Sequence, residues 1–363
     1  MIIYNCHTHL FTINHIPDRF IPKLVMWLVK KKITRKIARL IIPFTDRDLI
    51  DRYINFVEVT LRGEQIEVLT KLQGYFPNGA VDQTKFVVLP MDMEFMRAGK
   101  VKIDLNQQHE ELDSLVQSGH PIIPFIGTDP RRENIFDFVK KWHSRGFKGI
   151  KLYPPLGYYP NDSRLDNIYE YAEKSNIPIM AHCSKGGVHI KKVTKEMLKE
   201  PNPIGRPVKK QKAKHFSDLY TDPANYDPIS KKYPKLRICL AHFGGGDEWE
   251  KYMLTSWDSS MPDTEKSWFS VIIDLMLKHD NIYADISSTL FEDSDRIDLL
   301  KVLLENPKLR ERILFGSDYY MMEQVKPLER KKSIEIRSKL GPNLFKQIAF
   351  TNPGRYLNGE SEG

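Results

Sequence analysis

The sequence predicts an α/β chain folded as a (β/α)8 barrel, the TIM-barrel class, with helical and loop insertions at the C-terminal face of the strands. Three observations carry this. Short apolar runs occur eight times, each continuous rather than alternating, as parallel strands covered on both faces require. Helical patterns lie between most of them. No Gly-x-Gly-x-x-Gly follows the first run, so the main signal for an open doubly wound sheet is missing.

The runs fall at 2–6, 86–90, 122–127, 149–153, 177–181, 236–241, 282–286 and 313–315. Between them, 134–143 carries Ile135, Phe138, Val139 and Trp142 on one helical stripe. Segment 165–175 follows Asp162-Ser163, a capping pair, and holds Ile168, Tyr171 and Ala172 on one face. Segments 267–279 and 297–305 read the same way. Asn352-Pro353 reads as the cap and first turn of the last helix. Two connections exceed a simple crossover. The first, 12–85, contains a basic amphipathic segment at 21–42 and a predicted helix at 46–73. The second, 184–235, is polar and proline-rich, with a KKQKAK run at Lys209–Lys214. Both leave the C-terminal end of a strand, so both are expected to form lids on one barrel domain spanning 1–363.

The composition bounds the function. Hydrophobic residues make up 41% and charged residues 28%, which excludes disordered, collagenous and coiled-coil chains. Lys and Arg number 55 against 47 Asp and Glu, a net charge of +8. That mild excess fits a small anionic ligand and not a nucleic-acid binder. Three cysteines cannot build a disulfide framework, and the chain opens without a basic and apolar leader, so a reducing, cytoplasmic location is expected. Segment 21–42 has two readings, an amphipathic helix on an anionic membrane surface or a lid over the barrel mouth; the lid is preferred.

The chemistry gathers at strand ends. The first run leads into His7-Thr8-His9, the fourth into Lys151, the fifth into His182-Cys183, the sixth into His242-Phe243-Gly244 and the eighth into Ser317-Asp318. Residues i and i+2 of a strand share a face, so His7 and His9 can share one cation. Each residue alone has a bland role: a core histidine, a strand-end lysine, a helix cap. Five such ends on the catalytic face of one barrel make a site. Strand alternation also turns Cys6, Cys183 and Cys239 outward, between barrel and helices, where none would be a nucleophile. Asp285 and Lys185 are second-rank candidates.

With these residues in view the chain resembles the amidohydrolase superfamily, in the branch that includes aminocarboxymuconate-semialdehyde decarboxylase and related aromatic-acid decarboxylases. The carrying stretches are YNCHTHLF, GFKGIKLYPP, IPIMAHCS, DPANYDPISKKYPKLRICLAHFGG and ILFGSDY. They span the barrel and thin out over 12–83 and 191–217. The resemblance implies that His7, His9 and Asp318 ligate a first metal and that His182 completes a mononuclear site, with His242 beside it. Lys151 holds the position that binuclear members use as a carboxylated, bridging lysine. With one metal, Lys151 is a cationic contact for a substrate carboxylate; with two, it bridges while His182 and His242 hold the second ion. One metal is preferred. The resemblance also implies a homodimer.

Imidazole and carboxylate ligands with an open position suit zinc, with manganese or iron as substitutes. Asp318 is then the base that accepts the proton of the attacking water, and His242 orients that water or stabilises the oxyanion. Arg131 and Arg132 either grip a substrate carboxylate in bidentate fashion or form a solvated helix start. The expected function is hydrolysis of a small ester, lactone or amide that carries a carboxylate. The alternatives are metal-dependent decarboxylation and, from another class, a basic-faced binding protein with a vestigial site. The expected partner is a small-molecule substrate, with no nucleic acid.

Overall fold

Eight apolar strands joined by amphipathic helices can bury both faces by closing on themselves, and these do. The computed structural model describes residues 1–20, 58–76, 83–255, 262, 265–292, 296–321 and 329–359. Its strands are β1 (Ile2–Thr8), β2 (Gln83–Val88), β3 (Ile122–Thr128), β4 (Gly149–Leu152), β5 (Ile179–Ser184), β6 (Ile238–Gly244), β7 (Ile282–Asp285) and β8 (Ile313–Leu314). All pair in parallel in the order β1 to β8. The ring closes where the Cys6 N–H donates to the Phe315 carbonyl and the Asp318 N–H to the His7 carbonyl, each at 2.9 Å.

The helices include α1 (Gln65–Tyr75), α2 (Leu105–Gln117), α3 (Ile135–Ser144), α4 (Asp166–Lys174), α5 (Ala213–Thr221), α6 (Tyr226–Lys232), α7 (Gly246–Thr255), α8 (Trp268–Lys278), α9 (Arg296–Leu303) and α10 (Asn352–Asn358). Local chemistry sets their ends. Asp104 and Gln107 form a capping box on α2, and the Ser267 hydroxyl caps α8. Asp162 caps a short 3-10 turn that leads into α4. Asn352 does not cap α10: its buried side chain donates to the carbonyls of Arg310 and Ile313, both at 2.7 Å, and pins the last helix to β8.

Of the first insertion, 13–15 forms a 3-10 turn and α1 packs on the barrel. Segment 21–42 and residues 46–57 of the predicted 46–73 helix lie outside the described residues; within the rest, a turn at 61–64 breaks the predicted single helix before α1. The second insertion folds onto the connection after β4 through a small core of Tyr159, Ile190, Met197, Phe216 and Tyr220. Its lysines Lys209, Lys210, Lys212 and Lys214 are exposed. None of the described helices is long and apolar enough to cross a membrane.

The interior holds a correction. Tyr4, Cys6, Val87, Leu89, Phe125, Met180, Cys239, Ala241, Tyr283 and Leu314 form one buried cluster with Tyr356 and Leu357 of α10. Strands from opposite sides of the ring meet only inside it, so Cys6 and Cys239 point inward. Cys183 alone keeps the expected outward position, where its thiol lies 3.5 Å from the Thr221 carbonyl. Two bulges explain this. Asn5 pairs with Phe86 and Thr8 with Val88, three steps on β1 against two on β2. His182 pairs with Ala241 and Ser184 with Gly244, two steps on β5 against three on β6. Each extra residue resets the alternation, so apolar residues and site histidines share the inner face of one strand. Burial pushes all three thiols well up, which leaves them inert as nucleophiles. Gly149 completes the packing, since a Cβ there would lie 2.4 Å from the Phe125 ring.

One buried imidazole outside the site carries a pH prediction. His109 of α2 stacks on Phe147 at 5.2 Å, donates from Nδ1 to the Leu105 carbonyl (2.6 Å) and accepts the Gly127 N–H at Nε2 (3.1 Å). Burial lowers it to about 3, against the opposing pull of the Leu105 hydrogen bond. In the unfolded chain it titrates near ~6.5. Between these values the unfolded state binds the extra proton, so stability is full above ~6.5 and falls as pH drops toward 3. His109→Gln should therefore lose about 1 kcal/mol less than wild type between pH 7 and pH 5.5. Urea melts at the two pH values check this, and equal losses would contradict it.

Candidate metal centre and cavity

Every predicted strand-end residue sits at the barrel's C-terminal mouth. His7 lies in β1 and His9 just follows it, His182 lies in β5, His242 in β6, Asp285 ends β7, and Asp318 follows β8. All are buried, as is Lys151 of β4. The backbone is strained there: φ is +65° at His242, +47° at Phe243, +61° at Ser288 and +63° at Asp318. Non-glycine residues reach that region at a cost, and functional sites hold such strain. Gly316 is needed for a different reason, since a Cβ there would lie 2.8 Å from the His7 Cβ.

Hydrogen bonds fix the proton positions. His9 donates from Nδ1 to the Leu89 carbonyl at 2.8 Å. His7 donates from Nδ1 to Asp285 Oδ2 at 2.9 Å. Both Nε2 atoms therefore present lone pairs, and both face Asp318 Oδ1, His9 at 3.3 Å and His7 at 3.6 Å. His7 Nε2 is buried with no hydrogen-bond partner among the described residues. Two lone pairs and a carboxylate converging with no proton between them repel one another, and a cation among them satisfies all three. The donor set fits a divalent metal, and His7, His9 and Asp318 form one group able to hold it.

His182 is not in that group. Its Nδ1 lies 3.1 Å from His242 Nε2 and its Nε2 lies 3.2 Å from the Ser184 hydroxyl. His242 has its Nδ1 3.3 Å from the Ser287 carbonyl and 3.0 Å from the Ser287 hydroxyl. A second group of donors joins His7, His242 and Asp285. Asp285, a second-rank candidate by sequence, is the hub: it accepts from His7, from the His242 and Ser287 N–H groups (each 3.0 Å) and from the Ser287 hydroxyl. Ser287 was not singled out by sequence; the only trace of it is the Asp-Ile-Ser-Ser-Thr run at a strand end, an Asp with a hydroxyl two residues on.

Burial and neighbouring charges keep His7, His182 and His242 neutral. Burial, with Lys151 and His242 close by, holds His7 well below the usual range. Burial and then His242 and Lys151 do the same to His182. Burial lowers His242 too. Burial alone would raise the Asp318 carboxyl, but His242, His9 and His7 around it hold it below its usual value, so it is ionised at neutral pH. Burial brings Lys151 down to about 8, against Asp285 and Asp318, which raise it. Its Nζ has no hydrogen-bond partner among the described residues.

A cavity of about 330 Å³ opens over this group, with His9, His182, His242, Asp318 and Tyr153 in its walls and Lys185 and Glu248 at one side. The Tyr153 ring packs 4.6 Å from His182. Lys185 donates to Glu248 at 2.5 Å, and Glu248 also accepts the Trp268 N–H at 2.7 Å. The expected carboxylate contacts lie elsewhere. Arg131 is bidentate to Asp129 (2.8 and 2.6 Å), Arg132 is bidentate to Asp92 (2.7 and 3.0 Å), and neither lines the cavity. Lys151, buried and close to His7 and His182, is not among the cavity-lining residues.

A parallel eight-stranded barrel with histidine and aspartate donors at its strand ends and a cavity above them defines a metal-dependent barrel enzyme. The comparisons give the family. The chain belongs to the amidohydrolase family, whose model matches residues 108–358. His182, His242 and Asp318 fall inside the match, and His7 and His9 precede it. Among curated proteins no sequence relative matches the chain.

Solved structures share the fold. A probable 2-pyrone-4,6-dicarboxylic acid hydrolase from Acinetobacter baumannii is 11% identical, with a TM-score of 0.56 over 99% of this chain and 100% of that one. A dihydroxybenzoic acid decarboxylase from Polaromonas sp. JS666, with bound manganese and the inhibitor 2-nitroresorcinol, is 13% identical, with a TM-score of 0.53 over 99% and 98%. The 4-oxalomesaconate hydratase from Rhodopseudomonas palustris is 18% identical, with a TM-score of 0.51 over 98% and 95%. At these identities the likeness bears on fold alone.

Proposed function

We propose that the protein is a hydrolase that binds one divalent metal, zinc by preference, and cleaves an ester, lactone or amide of a small molecule. The observation that carries this is the convergence of His7 Nε2, His9 Nε2 and ionised Asp318 at the cavity floor, with no proton to reconcile them. When bound, the metal would supply Lewis acidity and lower the pKa of a water from ~15.7 to about 7. His7, His9 and Asp318 would hold it.

The chain's own residues do the rest. Asp318, ionised and in the cavity wall, takes the proton of the attacking water at a carboxylate oxygen and returns it to the leaving group. His242, oriented by Ser287, and His182, oriented by His242 and Ser184, present ring nitrogens to the cavity wall. There their Nε2 atoms, as acceptors, can orient a water through its proton. Met91, Val188 and Met321 give the cavity apolar wall for a small acyl compound.

One observation favours hydrolysis over decarboxylation. Apart from the metal, a substrate carboxylate would meet one lysine or arginine among the described residues lining the cavity, Lys185. Glu248 already holds it. A carboxylate on the substrate is thus an accessory feature, and the acyl group is what the site addresses. A small-molecule partner and a homodimer belong to the same proposal.

The test is an assay of one panel of small esters, lactones, amides and carboxylic acids with metal-loaded protein. Acid release or ring opening supports the proposal. Release of CO₂ from an acid, with no hydrolysis of any ester, lactone or amide, overturns it.

A further inference from the structure

The second group of metal-capable donors, His7, His242 and Asp285, has its ligand atoms within 4.8 Å of one another. The space among them is already filled. Ser287 Oγ lies 3.2 Å from His7 Nδ1 and 3.0 Å from His242 Nδ1, and it hydrogen-bonds Asp285 Oδ1. Ser287 is wholly buried.

The protons can be placed one by one. Asp285 Oδ1 already accepts the His242 and Ser287 N–H groups, and the single hydroxyl proton of Ser287 goes to the same oxygen. The Ser287 oxygen then has lone pairs left, and the ring nitrogens facing it must bring the protons. His242 does so at Nδ1, which also points at the Ser287 carbonyl, an acceptor only. His7 does so at Nδ1, shared with Asp285 Oδ2. Both imidazoles are thereby set as Nδ1–H tautomers. His7 Nε2 is left free for a cation, and His242 Nε2 is left to accept from His182.

We propose that Ser287 is a positioning residue: its buried hydroxyl, anchored on Asp285, fixes the tautomer and ring orientation of His7 and His242 and so prepares His7 as a metal ligand. This rests on the metal-centre reading above. It also assigns the second donor group to hydrogen bonding instead of to a second ion. Without the hydroxyl, His242 keeps only the longer contact to the backbone carbonyl, His7 keeps only Asp285, and both rings gain freedom. Residues that orient metal-ligating histidines typically contribute ~10–100-fold in metal affinity.

The experiment titrates full-length wild type, Ser287→Ala and Ser287→Cys with zinc and with cobalt(II) ions, reading affinity by competition with a chelator and the cobalt site by its visible absorption. Thermal melts of the metal-free proteins run alongside. Ser287→Ala should bind both ions ~10-fold more weakly, at the low end of that range, and its cobalt band should change in position or intensity. The cysteine variant, whose thiol keeps a weak donor, should fall between. If Ser287→Ala does not fold, the cysteine variant makes the same comparison. A folded variant with the wild-type affinity and cobalt spectrum overturns the assignment, whatever its melting temperature. Wild type that binds neither ion overturns the metal centre itself, a separate result.

Discussion

Asp318→Asn is expected to lower kcat/KM by ~10³-fold or more while leaving the protein folded. The side chains have the same shape, and asparagine tolerates the left-handed backbone at this position as well as aspartate does. Folding therefore loses little. Catalysis loses two things. The amide cannot take a proton from water, and a neutral oxygen binds a dication less well than a carboxylate. A metal-free protein that still melts cooperatively as a folded chain, together with the lost turnover, is the pattern to look for. A variant with near-wild-type turnover would remove Asp318 from the role of base.

Asp285→Ala should be the most destabilising single change at the site, by ~4 kcal/mol or more. Four donors end on this carboxylate: His7 Nδ1, the N–H groups of His242 and Ser287, and the Ser287 hydroxyl. All are buried, and a buried donor left unpaired costs ~1–3 kcal/mol. The N–H of His242 matters most for the fold, because it ties the bulged end of β6 to β7. Asp285→Asn separates the charge from the shape: it should stay folded but bind metal ~10–100-fold more weakly, since an amide oxygen holds the His7 proton less firmly. Denaturant melts and metal titrations of the pair measure the two effects. Wild-type metal affinity in the asparagine variant would mean that Asp285 only braces the strands.

How much of this was legible in the sequence follows from what leaves a compositional mark. Eight continuous apolar runs mark buried parallel strands, and all eight are present. The strand-end pattern His7-x-His9, His182, His242 and Asp318 marks the mouth of the barrel, and all of these residues gather there. Bulges leave no such mark. The extra residue in β1 and in β6 turned Cys6 and Cys239 inward against simple alternation, and it let Ala241 and His242 face the same interior. Ion pairing was equally hidden. Arg131 and Arg132 look like carboxylate binders until Asp129 and Asp92 are found already holding them. Asp92 is ~40 residues distant in sequence, and only the fold brings it to Arg132. Ser287 was invisible for the same reason, because its three side-chain partners come from three different strands.

The central claim is that His7, His9 and Asp318 hold a divalent metal. It is tested most directly by metal analysis of wild type and His7→Ala, both purified without added metal and then equilibrated with zinc. The account predicts one ion per chain in wild type and none retained by His7→Ala under the same dialysis. Wild type that takes up no ion, or a folded His7→Ala that retains one, would contradict it.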